Sequence, residues 1–580
     1  MRRTTHRLGV GALAVALLSG CGSSSPSVPP SGQGVQPSPS LAESPASASP
    51  SRLPIKNEVV VTVSDRLRIR SEPRVSDDSL KYEPVLPIGT ALFVLDGPVT
   101  ASGYTWFKVA PVSFAELGGP GYGWVAGSDK DGTPWIAPAQ GDAANLGLAM
   151  AVVARAPGIP AEARRAAAAI NAVGVGLYRR LLVDRTLDLG QKNLVFSPTS
   201  IELALAMARA GAKGDTAAEM DRVLQATGWK ELGSGLNSLD RALASRNGKW
   251  TDFEGTKEVT LRLANAPFAQ RGWTIEPAYL DMLASAFGAG LRLVDYEADP
   301  EAARKTINAW VSDRTARRIP ELLGTSDVTV DTRLTLVNAI YMKAQWTEWF
   351  QEDRTQPAAF KRPDGTKVSI PMMYRSGGQT LPYARGAGWQ ATELRYLGPD
   401  EKHQLAMMLV LPDDLAKFEA GLTADGLSRI TTAVTNGWPK DVDCPGVPHD
   451  QQDAGCYTHS LELFMPRFGI ETRAGLIDVL TALGMSLAFD PGRADFTGIH
   501  TGDPLYIARV IHQANIDVDE KGTTAAAATA VGMDTGGGPS PAKQITLRLD
   551  HPFLFFVRDV DTGAVLFMGR VTDPSAAKGS

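Results

Sequence analysis

Across 580 residues the chain carries 58 basic and 63 acidic side chains, a net charge of −5. Beyond the N-terminus no stretch is strongly basic, which excludes the electrostatic footprint of a nucleic-acid binder. The hydrophobic fraction of 43% suits a globular chain with a large core, and the length predicts more than one domain.

Arg2, Arg3 and Arg7 precede an apolar run over 8–18 that is too short to span a bilayer as a mature helix. It ends in Leu18-Ser19-Gly20-Cys21, which resembles a bacterial lipoprotein signal with Cys21 as the lipidated residue. Residues 1–21 are therefore expected to be a signal peptide and lipobox. The mature chain would then be exported and lipid-anchored to the outer face of the cytoplasmic membrane. Setting Cys21 apart leaves Cys444 and Cys456 of the three cysteines. In an oxidising compartment this pair reads as a disulfide, worth about 3 kcal/mol at most for so short a loop. The rival reading is a zinc site from Cys444, His449, Cys456 and His459. The disulfide is preferred, and neither metal nor cofactor is expected.

Residues 22–57 are rich in Ser, Pro, Gly and Ala without apolar periodicity, the composition of a disordered tether. From 58 to 137 short strands alternate with Gly/Pro turns, as in 59–63, 67–70, 91–95 and 106–109. The order Leu67-Arg-Ile-Arg-Ser-Glu-Pro73, Gly89, Trp106-Phe-Lys-Val109 and Gly123-Trp124-Val125 resembles a bacterial SH3-like domain. That resemblance implies a small all-β barrel that binds cell-wall material, with Trp106 and Trp124 expected in its core. Residues 138–159 read as a second linker.

A large α/β region occupies 160–575. Ile170, Val173, Leu177 and Leu181 mark one face of an opening helix. Apolar runs over 334–342, 405–411, 553–557 and 565–568 are strands of sheets buried on both faces. Helical stretches lie between them, at 302–316 and 476–483. No nucleophile turn, zinc-protease helix or phosphate-binding glycine loop is present, so no enzyme activity is expected.

Several blocks in this region occur in a telling order. They are Asn193-Leu-Val-Phe-Ser-Pro-Thr-Ser200, Gly211-Ala-Lys-Gly-Asp-Thr216, Leu263-Ala-Asn-Ala266 and Ile307-Asn-Ala-Trp-Val311. Then come Leu336-Val-Asn-Ala-Ile-Tyr-Met-Lys-Ala-Gln-Trp346, Met465-Pro-Arg-Phe468, Ala494-Asp-Phe-Thr-Gly-Ile499, His512, His551-Pro-Phe553 and Phe567-Met-Gly-Arg570. Together they resemble the serpin superfamily over about 162–574, with an insertion at 439–457 that holds both remaining cysteines. The resemblance implies an α/β (α+β) fold with three β-sheets and about nine helices. It also implies a suicide-substrate inhibitor of serine proteases, with cysteine proteases as a second target class, joined covalently to its target.

The run Glu520-Lys-Gly522-Thr523-Thr524-Ala525-Ala526-Ala527-Ala528-Thr529 favours a helix by alanine content alone. The β-branched threonines and flanking glycines oppose that, and its place between His512 and His551 resembles the hinge of a serpin reactive-centre loop. The resemblance implies that cleavage frees this hinge to insert into the main sheet as a new strand. Thr523, Ala525, Ala527 and Thr529 would then share one face, and all four are small. Ser197, Ser200, Asn338 and His512 match the family's shutter, and Trp346 its breach. The bait bond is placed in the window Met533, Asp534, Thr535, Gly536 and Gly537. Met533 would suit an elastase-like or subtilisin-like enzyme. The three glycines after Thr535 are the best argument for the alternative, a non-inhibitory serpin acting as an envelope binding or structural protein.

Overall fold

The computed structural model describes residues 54–576, apart from 55, 57, 112–121, 141–146, 152, 154, 253–254, 377–380, 400–401, 403, 443–455 and 524–542. Strands β1 (Val59–Thr62), β2 (Leu67–Arg70), β3 (Lys81–Leu86), β4 (Ala91–Ala101), β5 (Tyr104–Pro111), β6 (Gly123–Ala126) and β7 (Ile136–Pro138) form one antiparallel sheet in the order β3-β2-β6-β5-β4-β1-β7. Alternation explains its inside and outside: Leu67 and Ile69 are buried while Arg68 and Arg70 point outward. Ile69, Val94, Phe107, Val109 and Val125 pack on one face. Trp106 and Trp124 are buried in a second, smaller cluster with Tyr104 and Trp135 against it.

The stretch read as a linker contributes a strand. β8 (Gly147–Ala149) pairs antiparallel with Leu291–Val294 and so extends the central sheet of the following region. Three apolar residues are too few to show a period, which is why the sequence does not announce them. The close approach depends on Gly290, where a Cβ would lie 2.6 Å from the Ala149 carbonyl oxygen.

Among the described residues, the remaining chain builds three large sheets and a two-stranded ribbon, with helices α1 (Pro160–Val183), α2 (Pro198–Arg209), α3 (Gly214–Val223), α4 (Trp229–Ala244), α5 (Pro277–Phe287), α6 (Pro300–Arg314), α7 (Leu415–Gly421), α8 (Ala424–Asn436) and α9 (Ile477–Leu483) around them. Ile170, Val173, Leu177 and Leu181 form the buried face of α1, as their spacing predicts. The apolar runs at 405–411, 553–557 and 565–568 become Leu405–Pro412, Phe553–Asp559 and Val565–Val571, central strands buried along their whole length. They belong to a six-stranded sheet with Tyr383–Gly386, Trp389–Arg395 and Leu194–Phe196. A four-stranded sheet joins Gln356–Lys361, Lys367–Arg375, Ser460–Pro466 and Gln544–Arg548.

The eight-stranded sheet holds the start of the segment read as a hinge. Its order is Phe468–Gly475, Arg509–Val518, Gly522–Thr523, Leu334–Gln345, Gly255–Gln270, Leu291–Val294 and β8, with Gly248–Asp252 paired to the Gly255–Gln270 strand. At the insertion, Val442 pairs with Cys456 in a short ribbon. Cys444 and His449 lie outside the described residues, and so does the choice between disulfide and zinc. Cys21 lies outside them as well.

The N-terminal sheet and the central sheet share a core. Val59, Phe93, Leu95 and Ala110 cluster with Phe268, Ile307, Trp310 and Val337. The Arg292 guanidinium lies between the Phe93 ring (5.6 Å) and the Trp310 ring (4.6 Å). Phe93→Ala should therefore destabilise the full chain by about 3–5 kcal/mol in a denaturant titration. A loss under about 1 kcal/mol would show that this ring is not part of a shared core.

Candidate functional site

The site is a seam in the eight-stranded sheet. Leu334–Gln345 and Arg509–Val518 run parallel and pair from Thr335–Arg509 to Ile340–Ala514. Past Ile340 they diverge, and Gly522–Thr523 enters between them. It is antiparallel to both, with Thr523 opposite Ala344 and Val518 and Gly522 opposite Gln345. The segment read from sequence as a hinge thus begins already paired at the open end of the seam.

Several groups hold that entry point. Trp346 is fully buried, its Nε1–H donates to the Asp519 carbonyl at 3.0 Å, and its backbone N–H donates to the Lys521 carbonyl at 2.9 Å. Its ring stacks on Tyr396 at 4.3 Å, and the Tyr396 hydroxyl shares a 2.7 Å hydrogen bond with the buried Thr523 hydroxyl. The Phe350 N–H donates to the Glu520 carbonyl. The Glu520 carboxylate accepts from Arg467 Nε at 2.7 Å and from the Thr355 hydroxyl at 2.5 Å. Burial alone would raise the Glu520 carboxyl, but these two partners hold it below the usual range. At Gly522 (φ +154°) a Cβ would sit 2.2 Å from the Ala344 carbonyl oxygen. Glycine is required there by the close approach of the neighbouring strand, a different reason from the loop flexibility its sequence context suggests.

Below the entry point a polar cluster crosses the closed part of the seam. Asn265, Asn338 and His512 are register partners on three consecutive strands. Asn338 Nδ2–H donates to Asn265 Oδ1 and to Ser200 Oγ, both at 2.9 Å, and Asn338 Oδ1 accepts from His512 Nδ1–H. His512 Nε2 accepts from the Ser197 N–H at 3.0 Å, while Ser197 Oγ caps α2 by accepting from the Ser200 N–H. Ser197, Ser200, Asn338 and His512 are all buried. The structure therefore brings these four predicted residues together, and separately brings Trp346 together with Glu520, Gly522 and Thr523. Thr524 to Thr529 of the hinge and the window Met533 to Gly537 lie outside the described residues. Sequence reasoning missed Asn265, Tyr396, Thr355 and Arg467 as members of the site. Asn265 and Arg467 carried a signal, within Leu263-Ala-Asn-Ala266 and Met465-Pro-Arg-Phe468.

Burial pushes the His512 imidazole down to about 3 from its usual 6.5, so it is neutral and accepts through Nε2. The unfolded chain binds a proton below about pH 6.5 that the folded chain refuses, so this residue costs stability as pH falls from 6.5 towards 3. By pH 5 the cost reaches about 2 kcal/mol. Accordingly, the stability gap between wild type and His512→Gln should narrow by about that amount between pH 7 and pH 5 in urea titrations. A gap independent of pH would mean that His512 titrates normally. Gly522→Ala should expel the entering residues and raise amide exchange of the 518–523 segment about tenfold or more, while unchanged exchange would contradict the close approach.

Comparison with known proteins places this architecture. The family profile Serpin (serine protease inhibitor) matches residues 168–574. An uncharacterized serpin-like protein of Thermococcus kodakarensis is 34% identical over 70% of this chain and 85% of its own length. The leukocyte elastase inhibitor of Bos taurus is 34% identical over 68% of this chain and 98% of its own. Among solved structures, the thermophilic serpin tengpin in its native state superposes with a TM-score of 0.58 at 21% identity, over 73% of this chain and 96% of its own. Uncleaved ovalbumin superposes with a TM-score of 0.55 at 24% identity, over 70% and 99%. With a family match spanning well over half its length, and with the sheets and helices that the family's fold implies, the chain belongs to the serpin family.

Proposed function

We propose that the chain is a suicide-substrate inhibitor of serine proteases that traps the acyl-enzyme by inserting its reactive-centre loop into the eight-stranded sheet. The observation that carries this reading is the placement of Gly522–Thr523, antiparallel to both strands of an otherwise parallel seam. That is the geometry of strand addition begun and halted. A protease that cleaves beyond Thr529 would free the segment to continue downward between Leu334–Gln345 and Arg509–Val518. About a dozen new backbone hydrogen bonds at about 1 kcal/mol each would supply on the order of 10 kcal/mol, enough to distort an attached protease. Hydrolysis of the acyl bond competes with insertion, so trapping is a race of rates.

Met533 and the likeness to leukocyte elastase inhibitors point to an elastase-like target first. Export and lipid anchoring through Cys21 would set the inhibitor at the cell envelope, with the N-terminal sheet as an SH3-like module for cell-wall material. The glycines Gly536 to Gly538 favour the second reading, a non-inhibitory binding protein, because glycine offers a protease no side chain to select.

Incubation of the full chain with elastase-like, subtilisin-like and trypsin-like proteases separates the two readings. A complex that survives denaturing electrophoresis is the expected outcome. Cleaved product alone across the panel would support the second reading. Thr523 is buried against Tyr396, so Thr523→Arg should block entry and turn inhibitor into substrate, with covalent complex falling about tenfold or more and cleavage retained. Trapping unchanged by this substitution would overturn the insertion mechanism.

A further inference from the structure

The N-terminal sheet is apolar on both faces where it meets the rest of the chain. In β4, Leu92 and Val94 belong to the sheet's own core, while Phe93 and Leu95 belong to the cluster shared with the central sheet. β1 and β5 repeat the pattern, with Val60 and Val109 in the first core and Val59 and Ala110 in the second. A sheet that faced water on that side would alternate apolar with polar residues. Val59, Phe93, Leu95 and Ala110 are all apolar and buried, so the sheet is built to stay docked.

It docks against the cluster built around α6, the helix that bridges the seam. Val337 and Ala339 from one strand and Ile511 from the other pack there with Ile307, Trp310 and Val311. Two neighbours hold Trp310. Its ring meets Phe268 edge-on at 5.5 Å, and the Arg292 guanidinium lies 4.6 Å from it and 5.6 Å from the Phe93 ring. The stretch between the two sheets is tied down as well. Arg155 donates to Asn237 Oδ1 at 2.9 Å and to Asp240 at 2.6 Å, both on α4, and to the Ala286 carbonyl of α5. Asn237 donates back to the Ala156 and Pro157 carbonyls. With β8 also paired to Leu291–Val294, the N-terminal sheet is kept at a high effective concentration beside α6.

We propose that the N-terminal sheet is a brake on the seam: through Phe93, Arg292 and Trp310 it holds α6 down and slows the parting of Leu334–Gln345 from Arg509–Val518. Side chains of a strand alternate faces, so half of those entering the seam would come up beneath α6. The helix therefore has to lift or shift before the seam can accept them. Close-packed side chains move between discrete arrangements and do not stretch, so a helix clamped at Trp310 lifts less often than one facing water. The use of such a brake rests on the inhibitor reading. There it sets how fast a cleaved loop enters, and so how the race with acyl-bond hydrolysis ends.

Amide hydrogen exchange on the full chain tests the brake without any protease. Phe93→Ala is expected to speed exchange of the amides of 303–311, 335–340 and 509–514 about tenfold, and the milder Phe93→Leu about threefold. Leu427→Ala, buried in α8 within the other large core, is the control for lost stability. It should leave those amides within about twofold of wild type. Equal acceleration by Leu427→Ala would overturn the brake, and so would unchanged exchange in both Phe93 variants. A chain whose exchange responds as expected but which traps no protease would keep the brake and lose the inhibitor reading.

Discussion

The parallel ladder between Leu334–Gln345 and Arg509–Val518 is the constraint on which the rest of the molecule turns. It joins Thr335–Ile340 to Arg509–Ala514 and goes no further. A parallel pair is slightly less stable per residue than an antiparallel one. A strand laid between these two, running against both, would replace one parallel ladder with two antiparallel ladders. Gly522–Thr523 shows that arrangement in miniature, since Thr523 pairs at once with Ala344 and Val518. On the proposed mechanism, the ladders not yet made are what insertion of the loop would add.

A side-chain bridge crosses the closed seam. Separating the two strands at Asn338 and His512 breaks their shared hydrogen bond and threatens to strand a buried imidazole and a buried amide. An unpaired buried polar group costs about 1–3 kcal/mol, paid before any new ladder bond forms. Such a cost raises the barrier to opening without changing the end state. The same cluster reaches α2 through Ser197 and Ser200, so the helix beneath the sheet is fixed to the seam it supports.

Much of this was legible in the chain, for physical reasons that differ by element. The runs that became Leu405–Pro412, Phe553–Asp559 and Val565–Val571 announced central strands because burial on both faces leaves only apolar residues. α1 announced itself by the spacing of Ile170, Val173, Leu177 and Leu181. The partners of the entry point stayed hidden because they are far apart in sequence. Tyr396 meets Thr523 across 127 residues and Thr355 meets Glu520 across 165, and neither tyrosine nor threonine carries a local signature for such a role. β8 was hidden for the opposite reason, being too short to show a pattern. Gly522 was read only as a glycine that opposes a helix, whereas its place against Ala344 leaves no room for a Cβ.

The position of the seam has a mechanical consequence for both halves of the protein. Neighbouring strands lie about 4.8 Å apart, so one inserted strand must move everything on one side of the seam by about that distance. On one side lie Arg509–Val518 and Phe468–Gly475. On the other lie Leu334–Gln345, Gly255–Gln270, Leu291–Val294 and β8, with the N-terminal sheet packed beside them. One hydrophobic cluster straddles the line: Val337 and Ala339 from one side and Ile511 from the other pack with Ile307, Trp310 and Val311 of α6. Packed cores shift between discrete arrangements and do not stretch continuously, so α6 must release one side before the sheet can widen. Phe93 and Arg292 rest on Trp310 and its neighbours, which places the N-terminal sheet among the contacts that such a release has to rearrange.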